Sequence, residues 1–153
     1  MRVWRICARR HAGSMDGEGA RRFGGRWSSR GIAVVYASES IALATLEAFV
    51  HFDSNTIAPG LVLVAIDLPA GARIADLPKR PGLSKDWRSY PAPAALKPSG
   101  DAWARAGRTA VLRVASVIIP ESFNYLANPA HPDAAKIRRA VQRPFVFDTR
   151  MLG

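Results

Sequence analysis

The sequence predicts an α+β domain, a mixed, mostly antiparallel set of strands with a few helices, on three observations. Short runs rich in β-branched and aliphatic residues, LVLVAID at 61–67 and AVLRVASVII at 110–119, have strand length and strand composition. One segment, 39–51, carries the apolar periodicity of a helix. The connections are long and rich in glycine and proline, without the regular strand–helix alternation of a parallel sheet. At 153 residues and 48% apolar, the chain suits one core, and residues 1–153 are expected to form a single domain.

In chain order, RVWRIC at 2–7 alternates enough for a strand, and residues 11–25 read as a polar, glycine-containing loop. That loop matches neither the dinucleotide fingerprint nor a P-loop. Its Gly24-Gly25 pair lets the backbone turn sharply and bring Arg26 close to a ligand or to the sheet. Residues 32–37, IAVVYA, form an apolar strand with Tyr36 near its end. Ser38 is then expected to cap the helix 39–51, with Glu39 in its first turn. The strand at 61–67 is stopped by Pro69, and 69–100 reads as a proline-rich surface excursion with one short helical turn. Asp101 is placed as the cap of a helix through Trp103 and Ala106 that ends at Gly107. In the strand at 110–119, Leu112, Val114, Ser116 and Ile118 share a face by period two. FNYLANPAHPD at 123–133 spells turns, and 137–148 is a last strand interrupted at Pro144.

The formal charge of +10 favours anionic partners: nucleotides, nucleic acids or an acidic protein. Arg2, Arg5, Arg9, Arg10, Arg21, Arg22, Arg26 and Arg30 make the amino-terminal fifth the densest in cations. No aromatic-interleaved nucleic-acid motif accompanies them, so a solvated basic surface explains them equally well. A single Cys7 forms no internal disulfide, and His11, His51 and His131 are too scattered for a metal site. The opening MRVWRICARR has no secretory pattern, and no uncharged apolar run approaches about 18 residues. A metal-free protein of the cytoplasm, with no membrane span, is expected.

Around the helix at 39–51, Leu43, Leu46, Glu47 and Val50 fall within an arc of about 100°. The carboxylate therefore projects from the apolar stripe itself. Burying an ionised carboxylate costs several kcal/mol unless it is paired or hydrogen-bonded, so Glu47 requires a cation, a donor-rich ligand or a cleft. A structural ion pair with Arg26 and a substrate site both meet that need. Ser116 is the polar member of an apolar strand face, and Asn124 can reach into a cleft or serve a turn. No histidine or cysteine nucleophile has an evident partner, which argues against a protease-like triad.

The ordered motifs GGRW, VVYAS, LATLEAFVH, VASVIIP, NYLANPAHPD and PFVFDTR resemble the RES-domain family, the toxin half of RES–Xre toxin–antitoxin modules. The resemblance runs along nearly the whole chain, the proline-rich middle at 69–100 excepted. The arginine, glutamate and serine that name the family fall on Arg26, Glu47 and Ser116.

That resemblance implies a fold similar to diphtheria-toxin-type ADP-ribosyltransferases and an enzyme that consumes NAD, with NAD as substrate and no metal. Breaking the nicotinamide–ribose bond develops an oxocarbenium-like charge, as in glycosidases. By resemblance, Glu47 stabilises that sugar, Arg26 grips phosphate or ribose oxygens, and Tyr36 stacks on the nicotinamide. Ser116 donates to the ribose or orients Glu47, and Asn124 lends support at the same site. ADP-ribose then passes to water, phosphate or a protein target. An Xre-type antitoxin is the expected partner, covering the active site, with nucleic acid met through the antitoxin rather than directly. Two other readings compete: a ribonuclease-type toxin using His11, His51 and His131, and a non-catalytic nucleotide-binding module.

Overall fold

A computed structural model of the chain describes residues 1–51, 60–77 and 85–152. Among the described residues seven strands form one sheet: β1 (Arg2–Ala8), β2 (Val35–Ser38), β3 (Leu61–Asp67), β4 (Ile74–Asp76), β5 (Val111–Ala115), β6 (Phe123–Ala127) and β7 (Arg138–Pro144), in the order β4-β5-β6-β2-β1-β3-β7. Every neighbouring pair is antiparallel except β4 with β5. The α+β class and its mostly antiparallel pairing are as the sequence predicts.

The sheet is joined tightly within each half and weakly between them. β1 pairs with β3 along its whole length, from Arg2 opposite Asp67 to Ala8 opposite Leu61. Its register with β2 is the one pair Trp4 opposite Ser38. Beyond that pair the halves diverge, and backbone that would otherwise sit in a ladder borders an opening. β3, in the middle of one half, is buried from Leu61 to Ile66, which is why its sequence is an unbroken apolar run rather than an alternation.

Both faces are covered. Val3, Cys7, Val62, Val64, Ile66, Val35, Ala37, Tyr125 and Ala127 form the core on one face. On the other, Leu112, Val114 and Leu126 pack with Trp27, Val34 and Leu96, while Leu61 packs with Phe145 and Phe147 beside Ile6, Ala48 and Phe49. Helix α3 (Ile41–His51) lies against β1 and β2, burying Leu43 and Ala44. Phe145 and Phe147 meet edge to face, 5.1 Å between centroids.

Several boundaries differ from the sequence reading, each for a physical reason. α3 starts at Ile41, not residue 39, and its cap is Ser40, whose Oγ accepts from the Leu43 amide at 3.1 Å. Glu39 stands outside the helix with its amide donating to the Phe123 carbonyl. Ser38 belongs to β2, which runs 35–38 rather than 32–37. The supposed loop at 11–25 holds two short helices, α1 (Arg9–Ala12) and α2 (Glu18–Phe23). α2 is steadied by Glu18, which takes Arg21 and Arg22 at three- and four-residue spacing; hydrogen bonds from the two guanidiniums hold the acid of Glu18 down to about 2.

The proline-rich middle contains β4 and a 3-10 turn, Ala94–Leu96, leading directly into α4 (Lys97–Ala106); residues 78–84 of it lie outside the described residues. α4 does end at Gly107, left-handed at φ 56°. Asp101 is no cap: it is buried within the helix, and its Oδ1 accepts from the Ser29 amide at 2.8 Å. β5 stops at Ala115, so Ser116 sits just past the strand. The largest misreading is β6, where Phe123–Ala127 is a strand between β2 and β5 and not a series of turns. The asparagine and proline signals there belong to the bend that follows, where Asn128 Oδ1 accepts from the Ala130 amide. The last strand, read as 137–148, is Arg138–Pro144 followed by the buried Phe145 and Phe147.

Candidate active site

The register of the sheet builds the floor of the site. Val114 of β5 lies opposite Asn124 of β6, Asn124 opposite Ser38 of β2, and Ser38 opposite Trp4 of β1. Paired residues share a face, so a row of four side chains crosses the sheet where its halves part. α3 covers that row. The result is a cleft of about 210 Å³, walled by Trp4, Ile6, Tyr36, Ser38, Glu47 and Asn124.

Glu47 is the centre of the polar network. Its Oε1 accepts from Ser116 Oγ at 2.8 Å and from Asn124 Nδ2 at 2.6 Å. Ser116 Oγ itself accepts from the amides of Ile118 and Ile119, at 3.1 and 3.2 Å. Its own proton is thereby committed to the carboxylate. Two donors meet one oxygen of this half-buried carboxylate, and among the described residues Oε2 takes no hydrogen bond, which leaves it for a ligand.

Arg26 does not form the structural ion pair with Glu47 that was its alternative. Its guanidinium donates to the carbonyls of Trp87, at 2.9 Å, and Ser89, at 3.2 Å. Burial lowers its pKa from the ordinary arginine value, and the attraction of Glu47 and then of Tyr36 opposes that shift. It remains a cation at neutral pH, close enough to feel the carboxylate and held by neutral carbonyls that an anionic ligand can displace. Neither Arg26 nor Ser116 lines the cleft; Ser116 reaches it through its hydrogen bond to Glu47, and Arg26 through the attraction of that carboxylate.

Tyr36 is mostly buried, with burial pushing its phenol above the usual tyrosine range. Its Oη accepts from the Trp27 amide at 3.2 Å and shares a hydrogen bond with Ser28 Oγ at 3.1 Å. Residue 25 must be glycine for this: a Cβ there would come within 2.5 Å of the phenol oxygen. The Gly24-Gly25 turn thus seats the loop that carries Arg26 directly on Tyr36, with Gly24 at φ 74°, a backbone conformation that favours glycine.

The structure brings Glu47, Ser116 and Asn124 into direct contact, with Tyr36 on the same cleft and Arg26 within electrostatic range. Sequence reasoning missed Ser38 and Ser28. Ser38 Oγ donates to Asn124 Oδ1 at 2.7 Å, and its signal, a serine ending a strand on the same face as Tyr36, was read as a helix cap. The three histidines do not converge: His51 borders the cleft, His131 Nδ1 accepts from the Asp133 amide, and His11 Nε2 accepts from Arg10.

Residues 2–148 match the family model described as RES domain. The chain belongs to the RES-domain family. A Sphingobium sp. (strain YBL2) protein named "Prs ADP-ribosylating toxin" is 43% identical over 97% of this chain and 95% of its own length. A Yersinia enterocolitica protein named "Toxin Res" is 33% identical over 99% of both chains. A chain in the crystal structure of the M. tuberculosis MbcT-MbcA toxin-antitoxin complex superimposes with a TM-score of 0.73 at 17% identity, over 99% of this chain and 86% of that one. This RES chain therefore shares the fold of that chain.

Proposed function

We propose that this RES protein is the toxin of a toxin–antitoxin module, an enzyme that cleaves NAD at the nicotinamide–ribose bond and transfers ADP-ribose to a protein, and that residues 1–153 work as one RES-like domain. The observation that carries the reading is Glu47, held through one carboxylate oxygen by Ser116 and Asn124 in a cleft shared with Tyr36. In the reaction the C1′–nitrogen bond breaks and nicotinamide leaves with the bonding electrons. Positive charge appears on the sugar, and Glu47 Oε2 accepts from a ribose hydroxyl while its negative charge stabilises the cation. Arg26 exchanges its carbonyl partners for the pyrophosphate, and Tyr36 packs on the nicotinamide. Ser116 and Asn124 hold Glu47 as they support the bound cofactor. The acceptor's lone pair then bonds to C1′ as its proton is lost.

A protein acceptor is favoured by the relative named for ADP-ribosylating Prs, and Prs is the first acceptor to try. Water and phosphate are the alternatives. Incubating the protein with NAD labelled in the adenylate, with and without Prs, separates them: label on Prs supports transfer, and free ADP-ribose as the sole product limits the enzyme to hydrolysis. RNA in a parallel reaction addresses the ribonuclease reading, and fragments without nicotinamide release would replace the proposal. No helix among the described residues is long and apolar enough to cross a membrane, and NAD is met in the cytoplasm, where we place the protein.

Arg26→Lys should bind NAD about tenfold more weakly, because a point-charge ammonium cannot reproduce the paired donors of the guanidinium. Calorimetric titration in the Glu47→Ala background, where the cofactor survives, with and without Arg26→Lys, measures this, and equal affinity would remove Arg26 from the phosphate.

An antitoxin partner is supported by the likeness to a chain of a toxin–antitoxin complex, and we place an Xre-type antitoxin over the cleft, with an acidic group or chain terminus against the basic rim. Saturating NAD should then weaken the antitoxin's hold on the Glu47→Ala variant, in which the cofactor survives. Equal affinity with and without NAD would move the partner to a distant surface.

A further inference from the structure

We propose that Ser38 is a positioning residue for Glu47, acting through Asn124. The inference deepens the reading of Glu47 as the carboxylate that meets the ribose, and it assigns a task to a side chain on the cleft wall whose hydroxyl bonds Asn124 rather than the carboxylate.

The argument is one of hydrogen-bond direction. A primary amide presents a donor end and an acceptor end of nearly equal size, and only its neighbours decide which end faces where. Asn124 lies beside Glu47, where the donor end gives a charge-assisted hydrogen bond and the acceptor end gives repulsion between two oxygens. Ser38 resolves this from the other side. Its Oγ donates at 2.7 Å to Asn124 Oδ1, which turns Nδ2 toward Glu47 Oε1 at 2.6 Å. Ser38 and Asn124 are directly paired in the β2–β6 register, so the backbone sets their separation. Ser38 is 4% exposed, and water has little access to replace its hydroxyl.

Ser116 makes the second half of the grip by the same logic, its Oγ filled by the Ile118 and Ile119 amides so that its proton goes to Oε1. One side is fixed by backbone amides that mutation cannot easily remove. The other depends on a single hydroxyl. Both donors meet the same oxygen, so together they fix the carboxylate's rotation and direct Oε2 to the substrate. Loss of Ser38 frees the amide to rotate, loosens one of the two holds and leaves Glu47 charged but poorly aimed. That predicts a loss in the chemical step rather than in cofactor binding.

Ser38→Ala should lower kcat for nicotinamide release about tenfold, the order expected of one charge-assisted hydrogen bond, with KM for NAD within about twofold. Ser38→Thr, which restores the hydroxyl, should recover most of the rate. The decisive comparison is a double-mutant cycle. In an Asn124→Ala background, Ser38→Ala should cost no further rate, because the residue through which it acts is gone. An unchanged kcat in Ser38→Ala, or the same penalty in both backgrounds, overturns the proposal while leaving the role of Glu47 standing. Nitrogen-15 spectra give a readout that needs no turnover: the Asn124 side-chain amide should shift and exchange faster in Ser38→Ala. If the parent releases no nicotinamide, the functional reading fails, and this spectrum alone decides the proposal, an unchanged Asn124 amide rejecting it.

Discussion

Glu47→Ala is expected to lower nicotinamide release by about 10³-fold or more, the range for removing a principal electrostatic stabiliser from a transition state. The effect on stability is separable from the effect on rate. A bare desolvated charge can be removed with a gain in stability. Glu47 is not bare, because Ser116 and Asn124 both donate to its Oε1, and alanine leaves those donors without their acceptor. Glu47→Ala should therefore lose about 1–3 kcal/mol. Glu47→Gln keeps an oxygen for the two donors and removes only the charge, so it should melt near the parent and still be inactive. Nicotinamide release and thermal unfolding on the three proteins check this together. A fully active Glu47→Gln would show that the ionised carboxylate has no part in the reaction.

Local chemistry made much of this legible beforehand, and pairing across the sheet did not. A carboxylate among the apolar positions of a helix signals its need for donors, and Glu47 is found with two of them, although the face that α3 buries is Leu43 and Ala44 and Val50 of the expected arc is exposed. The unbroken apolar run at 61–67 is β3, to the residue. Asn124 is hard to place from the sequence because its strand is short and followed by Asn128-Pro129, whose turn signal dominates the window. Only the neighbours on both sides, β2 and β5, make Phe123–Ala127 a strand, and those lie far off in sequence. Ser38 is ambiguous for a related reason. A serine before a helix has two possible partners, the helix amides or a side chain across the sheet, and the register chose the second. Asp101 lost its expected capping role in the same way, since its acceptor serves Ser29 on a distant loop.

The same loop sets the largest expected loss of stability, at Gly100. Within a helix, glycine to alanine ordinarily stabilises by about 0.5–1 kcal/mol, through the reduced freedom of the unfolded chain. Gly100 lies inside α4 and is buried, yet a Cβ there would overlap the carbonyl oxygen of Trp27 and stand 2.9 Å from its carbonyl carbon. The helix backbone therefore rests directly on the backbone of the arginine loop, with no flexible side chain between them to give way. One residue on, Asp101 ties the same loop through the Ser29 amide. Gly100→Ala must push α4 and the loop apart, which disturbs Leu96 and Trp27 in the core and should cost about 3–5 kcal/mol. Because the Trp27 amide donates to Tyr36 Oη, what remains folded should also release nicotinamide more slowly. Urea unfolding and the melting temperature measure the first effect and initial rates the second. A variant as stable as the parent, or more so, would mean that α4 does not lie on the Trp27 backbone and that the arginine loop is held by other contacts.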